Sequence, residues 1–195
     1  MSAAIPPKIS GWDEDYLANT KDVVSVLDGQ LRIKWTNQRW LEFAAANDGL
    51  PAVRDTWSAG AKYTSAISKP LRSFYEQRLQ RCLDRQEVWS HDYECSSPGH
   101  FRSFHQVVYP VACGWLVIAN SLVVEREHDA AFAAGQAYRS EQGMLRQCMH
   151  CRRFCHAAEN RWDWVPEYVA KLPPDTSHSL CGSCSGFYYP DEPGT

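Results

Sequence analysis

Apolar and polar positions change period several times along the chain, and the changes predict its elements. Val23–Leu27 is a short apolar run followed by Asp28-Gly29 and then Leu31–Thr36, the pattern of two strands joined by a glycine-containing turn. From Asn37 to Asn47 the spacing becomes helical, with Trp40, Leu41, Phe43 and Ala44 on one side. Residues 48–70, rich in Gly, Pro and Ser, predict irregular chain with short helices. Pro70–Arg85 repeats Leu71, Phe74, Tyr75, Leu79 and Cys82 or Leu83 at three- and four-residue steps, a longer amphipathic helix. Three strands are then expected at Glu87–Cys95, Phe101–Val111 and Gly114–Val124, broken at Ser97-Pro98-Gly99 and at Ala112–Gly114.

Ahead of these elements, Met1–Ile9 with Pro6-Pro7 reads as a loose arm. A short helix through Asp13–Ala18 is capped by Ser10 or Asp13, with Trp12, Tyr16 and Leu17 on its apolar side. Glu125–Gln147 is helix-prone and is expected as a linker helix, either a dimer seam or packed on its own domain. Its apolar positions keep no clean heptad, and Gly135 and Gly143 weaken it. The order of elements predicts an α+β fold: five antiparallel strands with helices gathered on one face.

The densest chemistry lies after that sheet. Cys148-Met-His-Cys151 and Cys181-Gly-Ser-Cys184 are two C-x-x-C pairs, each able to present two thiolates to one ion from a tight turn. Soft ligands in tetrahedral array favour structural zinc, with rubredoxin-like iron as the alternative. The gap exceeds the usual ~15–20 residues, leaving room for a helix or ribbon between the knuckles. Two disulfides or four unrelated thiols are the other readings. Cys155 and His156 adjoin the first knuckle as alternative ligands, and His178, three residues before Cys181, reads as a neighbour of the metal. His150, inside the first knuckle, is expected to point away from it. Cys82, Cys95 and Cys113 read as small packed hydrophobes.

Composition narrows the class. In 195 residues, 44% hydrophobic and 12% aromatic content provide for a real core. A net charge of −3 and a pI near 6.1 exert no global pull on nucleic acid or anionic membrane. Arg146, Arg152, Arg153 and Arg161 form a local basic rim that a phosphate-gripping zinc module would have, so a nucleic-acid-binding regulator stays as an alternative. With no apolar run near ~20 residues and no signal-peptide core, the chain is expected in the cytoplasm, where cysteines stay reduced. No nucleophile–base pair or open three-ligand metal site is legible, so no enzymatic activity is expected.

Two stretches resemble known families. Asn37-Gln-Arg-Trp40-Leu-Glu-Phe43-Ala44, Tyr93-Glu-Cys95-Ser-Ser97-Pro98 and the strand from Arg102 to Pro110 resemble one branch of PAS sensor domains over residues 20–125. Ser96 stands where that branch often has His, and Ser103 where it often has Trp. Cys148-x-x-Cys151-Arg152-Arg153, Trp162 or Trp164, Glu167-Tyr168 and Ser177-His178-x-x-Cys181-x-x-Cys184 resemble cysteine modules that follow PAS domains in bacterial signalling proteins. The resemblances imply an arm over residues 1–19, a PAS-like sensor over 20–124, a linker helix over 125–147 and a four-cysteine zinc module over 148–190, stopping before any output domain. They imply a signal-sensing or protein-interaction module, with a protein partner or a homodimer through the PAS domain or linker helix. A PAS pocket here would be lined by Trp35, Trp40, Phe43, Phe74, Phe104 and Trp115, suited to a flat apolar ligand such as haem or flavin, with His105 or His91 as a haem ligand. A filled core and a haem- or thiol-based redox sensor remain alternatives.

Overall fold

Asn37 shows how the first half is held. In the computed structural model, which describes residues 12–111 and 114–190, this side chain is buried between two elements. Its Oδ1 accepts from Val24 N at 3.0 Å, and its Nδ2 donates to the carbonyls of Asp22 at 2.8 Å and Leu17 at 3.3 Å. Three backbone groups that would otherwise be orphaned inside the protein are satisfied by one amide. The segment before it is helix α1 (Glu14–Asn19), capped by Asp13, whose Oδ1 accepts from Tyr16 N at 3.0 Å. The arm expected over residues 1–9, the alternative cap Ser10 and Cys113 lie outside the described residues.

Strands β1 (Val23–Leu27) and β2 (Ile33–Thr36) form the expected antiparallel hairpin. Its turn is organised by Asp28, whose Oδ1 accepts from the backbone N–H groups of Gln30 and Arg32, both at 3.0 Å. Helix α2 (Gln38–Ala46), the short α3 (Ala52–Thr56) and the long α4 (Lys69–Arg85) follow. Then come β3 (Trp89–Glu94), β4 (His100–Val111) and β5 (Trp115–Glu127). The five strands make one antiparallel sheet in the order β2-β1-β5-β4-β3.

Alternation along β5 gives the sheet two apolar faces. Leu116 and Ile118 join Leu27, Ile33, Val108 and the α4 residues Leu79 and Cys82 in one cluster. Val117 joins Val24, Val26, Trp35, Val111 and Leu17 of α1 in the other. Helix α4 buries Leu71, Tyr75, Leu79 and Cys82, the stripe that its periodicity predicts. Burial of a side chain as enclosed as Leu79 contributes roughly 1.5–3 kcal/mol.

The described residues divide into two compact units: 12–93 with 104–122, and 94–103 with 123–190. The second unit has a four-stranded sheet in the order β8-β7-β6-β9. Its strands are β6 (Leu145–Cys148), β7 (Phe154–Cys155), β8 (Trp162–Asp163) and β9 (Thr176–Ser179). Strand β9 pairs parallel to β6, and helices α5 (Pro166–Ala170) and α6 (Gly182–Tyr188) complete the unit. Its core is Tyr138, Leu145, Phe154, Trp164, Val165 and Val169, with Tyr168 packed against it.

The linker helix expected over 125–147 does not form. Strand β5 continues through Glu127, a single 3-10 turn covers Gln136–Tyr138, and β6 begins at Leu145. Burial of Tyr138 and Leu145 in the core outweighs the helical propensity of the alanine-rich run. Gly143, at φ +79°, makes the turn just before β6, in a region few other residues adopt.

Candidate metal centre

The two knuckles arrive on different elements. Cys148 ends β6, and the chain turns through Met149 and His150 to Cys151, closed by Arg152 N donating to Cys148 O at 2.9 Å. Arg152 sits at φ +63°, the left-handed position that ends such a turn. Cys181 caps α6, its Sγ accepting from Cys184 N at 3.5 Å at the positive end of that helix, and Cys184 lies in the helix's first turn. The Sγ atoms of Cys148, Cys151, Cys181 and Cys184 lie within 4.8 Å of one another, and Cys151 and Cys181 are 3.8 Å apart. Sulfurs ~2.3 Å from a tetrahedral zinc ion stand about 3.8 Å apart, so the cluster has the dimensions of a tetrathiolate metal site.

Charge gives the same answer. Hydrogen bonds from the other three thiols, that of Cys151 foremost, pull Cys148 far below the ordinary thiol range against the effect of burial. Cys151 is pushed up, chiefly by its contact with Cys148. Cys184 is pushed up, again chiefly by Cys148. Cys181 settles at about 7: contact with Cys148 raises it, while bonds from Cys151, Cys184 and the Cys184 backbone outweigh that rise. Four sulfurs this close compete for protons and can all be thiolates only around a cation.

The remaining candidates are placed elsewhere. Cys155 lies on β7, its sulfur 2.8 Å from Arg146 and 3.4 Å from Asn160 Oδ1. His156 faces Glu159 at 3.7 Å and the Tyr138 ring at 5.5 Å, and His178 is exposed on β9. His150, expected to point away, instead brings Nδ1 to 3.3 Å from Cys184 Sγ. Burial pushes its pKa down, against the charge of Cys148 and Glu94.

The arginines after Cys151 are turned into the protein. Arg152 donates to the carbonyls of Ser96 at 3.2 Å and Val169 at 2.9 Å, and burial lowers its pKa. Arg153 donates to Glu94 at 2.8 Å. Burial disfavours its charge, but bonds to Glu94 and the Cys151 sulfur more than offset this. Arg161 is matched by Asp163 at 2.8 Å and by Glu159, and Arg146 lies over the Trp162 ring at 5.3 Å. Trp164 Nε1 donates to Pro98 O at 3.2 Å, and His128 stacks on Trp164 at 4.0 Å while bonding Ser97 O at 3.0 Å. The turn Glu94–Pro98 is thereby tied into the cysteine unit. Its signal was the Arg152-Arg153 pair, which local sequence presents as a surface rim.

In the first unit the proposed pocket residues separate. Trp35 and Trp115 belong to the cluster with Leu17, whereas Trp40 packs on the cluster with Leu79. Phe43 meets Phe104 edge-on at 5.4 Å, and Phe74 packs near Trp89 and His91. His105 is 41% exposed with Nδ1 2.6 Å from Asp92, so it does not share the interior with the aromatic residues. The interior instead holds a polar group absent from the sequence reading. Asn120 Oδ1 accepts from Gln106 at 2.8 Å and Tyr93 at 3.1 Å, while Gln106 also bonds Tyr63 and His91. Burial pushes Tyr63 up to about 12. Alternating polar residues in otherwise apolar strands, Gln106 and Asn120, were its only trace.

No family model matches the chain, and no curated protein does. Among solved structures it is similar to the PAS domain of Bordetella pertussis BvgS, at 15% identity and a TM-score of 0.44, covering 57% of this chain and 84% of that one. It is similar also to the PAS domain of the Cronobacter turicensis quorum-sensing receptor RpfR in complex with C12:0, at 14% identity and a TM-score of 0.42, covering 55% and 99%. A third is the PAS domain of an HTR-like protein from Haloarcula marismortui, at 14% and 0.37, covering 55% and 91%. Among the described residues, no helix is long and apolar enough to cross a membrane.

Proposed function

We propose that the chain is a signal-sensing or protein-interaction module without catalytic activity, a PAS-type domain joined to a structural zinc site. The observation that carries this is the buried cluster of four cysteine sulfurs. Four thiolates fill a tetrahedron and leave no position for water or substrate, which is the arrangement of structural rather than catalytic zinc. Cys148, Cys151, Cys181 and Cys184 would hold the ion, which would supply folding energy to the second unit. The PAS reading is supported by the Asn37–Ala44 and Tyr93–Pro98 motifs and by the order of two strands, helices, long helix and three strands.

Signal passage through a helix at 125–147 is excluded by the strand and loop found there. A protein partner or a second copy of the chain is the expected recipient, and a reducing compartment such as the cytoplasm suits the thiolates. The nucleic-acid alternative draws no support from arginines already satisfied by Glu94, Asp163, Glu159 and backbone carbonyls.

Cobalt(II) substitution tests the proposal. A tetrahedral tetrathiolate centre gives intense visible absorption, lost when any one of the four cysteines becomes Ser. A weak spectrum typical of octahedral oxygen ligation would overturn the assignment.

A further inference from the structure

Among the described residues, hydrogen bonds from outside the four thiols reach three sulfurs of the cluster. Cys148 accepts from Cys181 N at 3.4 Å, and Cys181 from Cys184 N at 3.5 Å. Cys184 has His150 Nδ1 at 3.3 Å. The first two donors are backbone amides. The third is a single imidazole whose other nitrogen, Nε2, is buried without a hydrogen-bond partner among the described residues. With no acceptor at Nε2, the ring N–H that finds a partner is the one on Nδ1, directed at the sulfur. The Tyr188 ring, edge-on at 4.9 Å, fixes the orientation.

Exposure singles out the same residue. Relative accessibility runs 0% for Cys148, 4% for Cys151, 5% for Cys181 and 9% for Cys184. The cysteine that solvent reaches most readily is the one whose donor is His150.

We propose that His150 is a positioning residue that guards the Cys184 thiolate, drawing its lone-pair density into the Nδ1–H bond and so protecting the centre from soft electrophiles. The proposal rests on the tetrathiolate zinc reading. It makes the centre's inertness a property of one replaceable side chain.

The test is zinc release from the full-length protein under N-ethylmaleimide, followed with a colorimetric zinc chelator. In the reaction the Cys184 sulfur forms a bond to an alkene carbon of the maleimide. The π pair becomes an enolate that takes a proton from water, and the zinc–sulfur bond is lost. His150→Ala is expected to hold the same zinc and release it about tenfold faster, the factor made by one hydrogen bond of ~1.4 kcal/mol to a charged group. His150→Asn, whose amide N–H stands near the Nδ1 position, is expected to restore slow release, and His150→Gln, with its amide near Nε2, is not. Peptide mapping should find the first adduct at Cys184. Equal rates for His150→Asn and His150→Gln, or a first adduct on another cysteine, overturn the proposal even if His150→Ala fails to fold. Wild-type protein without zinc overturns the tetrathiolate reading itself, and this proposal with it.

Discussion

Breaking the Arg153–Glu94 pair should loosen the turn that the cysteine unit holds. Arg153 donates to Glu94 Oε2 at 2.8 Å, with side chains 30% and 14% exposed, and Ser96 donates to the other carboxylate oxygen at 2.8 Å. A hydrogen bond to a charged group contributes about 1.5–3 kcal/mol net, and removing one partner of a fully buried pair costs roughly 3–5 kcal/mol. Partial exposure of both groups places Arg153→Ala near the lower figure, about 2 kcal/mol. Urea unfolding of Arg153→Ala, Glu94→Ala and the double variant should give a coupling energy of about 1.5–2 kcal/mol in a double-mutant cycle. Amides of 94–103 should exchange roughly 30-fold faster in Arg153→Ala, the factor for about 2 kcal/mol of local opening. A coupling below about 0.5 kcal/mol, or unchanged exchange in that turn, would refute the reasoning and return Arg153 to the solvated rim.

Three further outcomes follow from packing and charge. Asn37→Ala strips two buried backbone groups and one half-buried one of their partner and should destabilise the first unit by about 2–3 kcal/mol in urea titration; a loss under ~0.5 kcal/mol would mean water replaces the amide. Phe154→Ala, at the centre of the second core, should cost roughly 3–5 kcal/mol in the same titration and weaken metal retention; an unchanged midpoint would contradict its place in that core. Asp163 is held below the usual carboxylate range, first by Arg161 and then by Tyr138 against the effect of burial. Its stabilising contribution is therefore complete above the unfolded value of about 3.9 and disappears as pH falls through the lower folded value. Asp163→Asn should flatten this acid limb of the stability profile, and an unchanged limb would contradict the assignment.

The five strands of the first sheet, α4 and the tight grouping of the four cysteines follow from period, turn residues and ligand spacing, all local features. What local pattern could not carry was long-range pairing. The run from Glu125 looks helical because alanine is a good helix former, but Leu145–Cys148 pairs with Thr176–Ser179, and Tyr138 bonds Asp163. The aromatic residues suggested one pocket because aromaticity does not state which side of a strand it faces; Trp35 packs with Leu17 and Val117, whereas Phe104 meets Phe43 of α2. Arg152 and Arg153 looked like solvated charge because their partners, Ser96 and Glu94, are distant in sequence. His150 was expected to face outward because side chains inside a C-x-x-C turn usually point away from the metal; instead it meets Cys184, which lies on α6 and is distant in sequence.

Elemental analysis of the purified full-length protein, paired with an absorption spectrum, tests the central claim most directly. One zinc per chain, lost on changing Cys148, Cys151, Cys181 or Cys184 to Ser, and a featureless visible region are the expected result. Wild-type protein free of metal, or iron with a visible band, would contradict it.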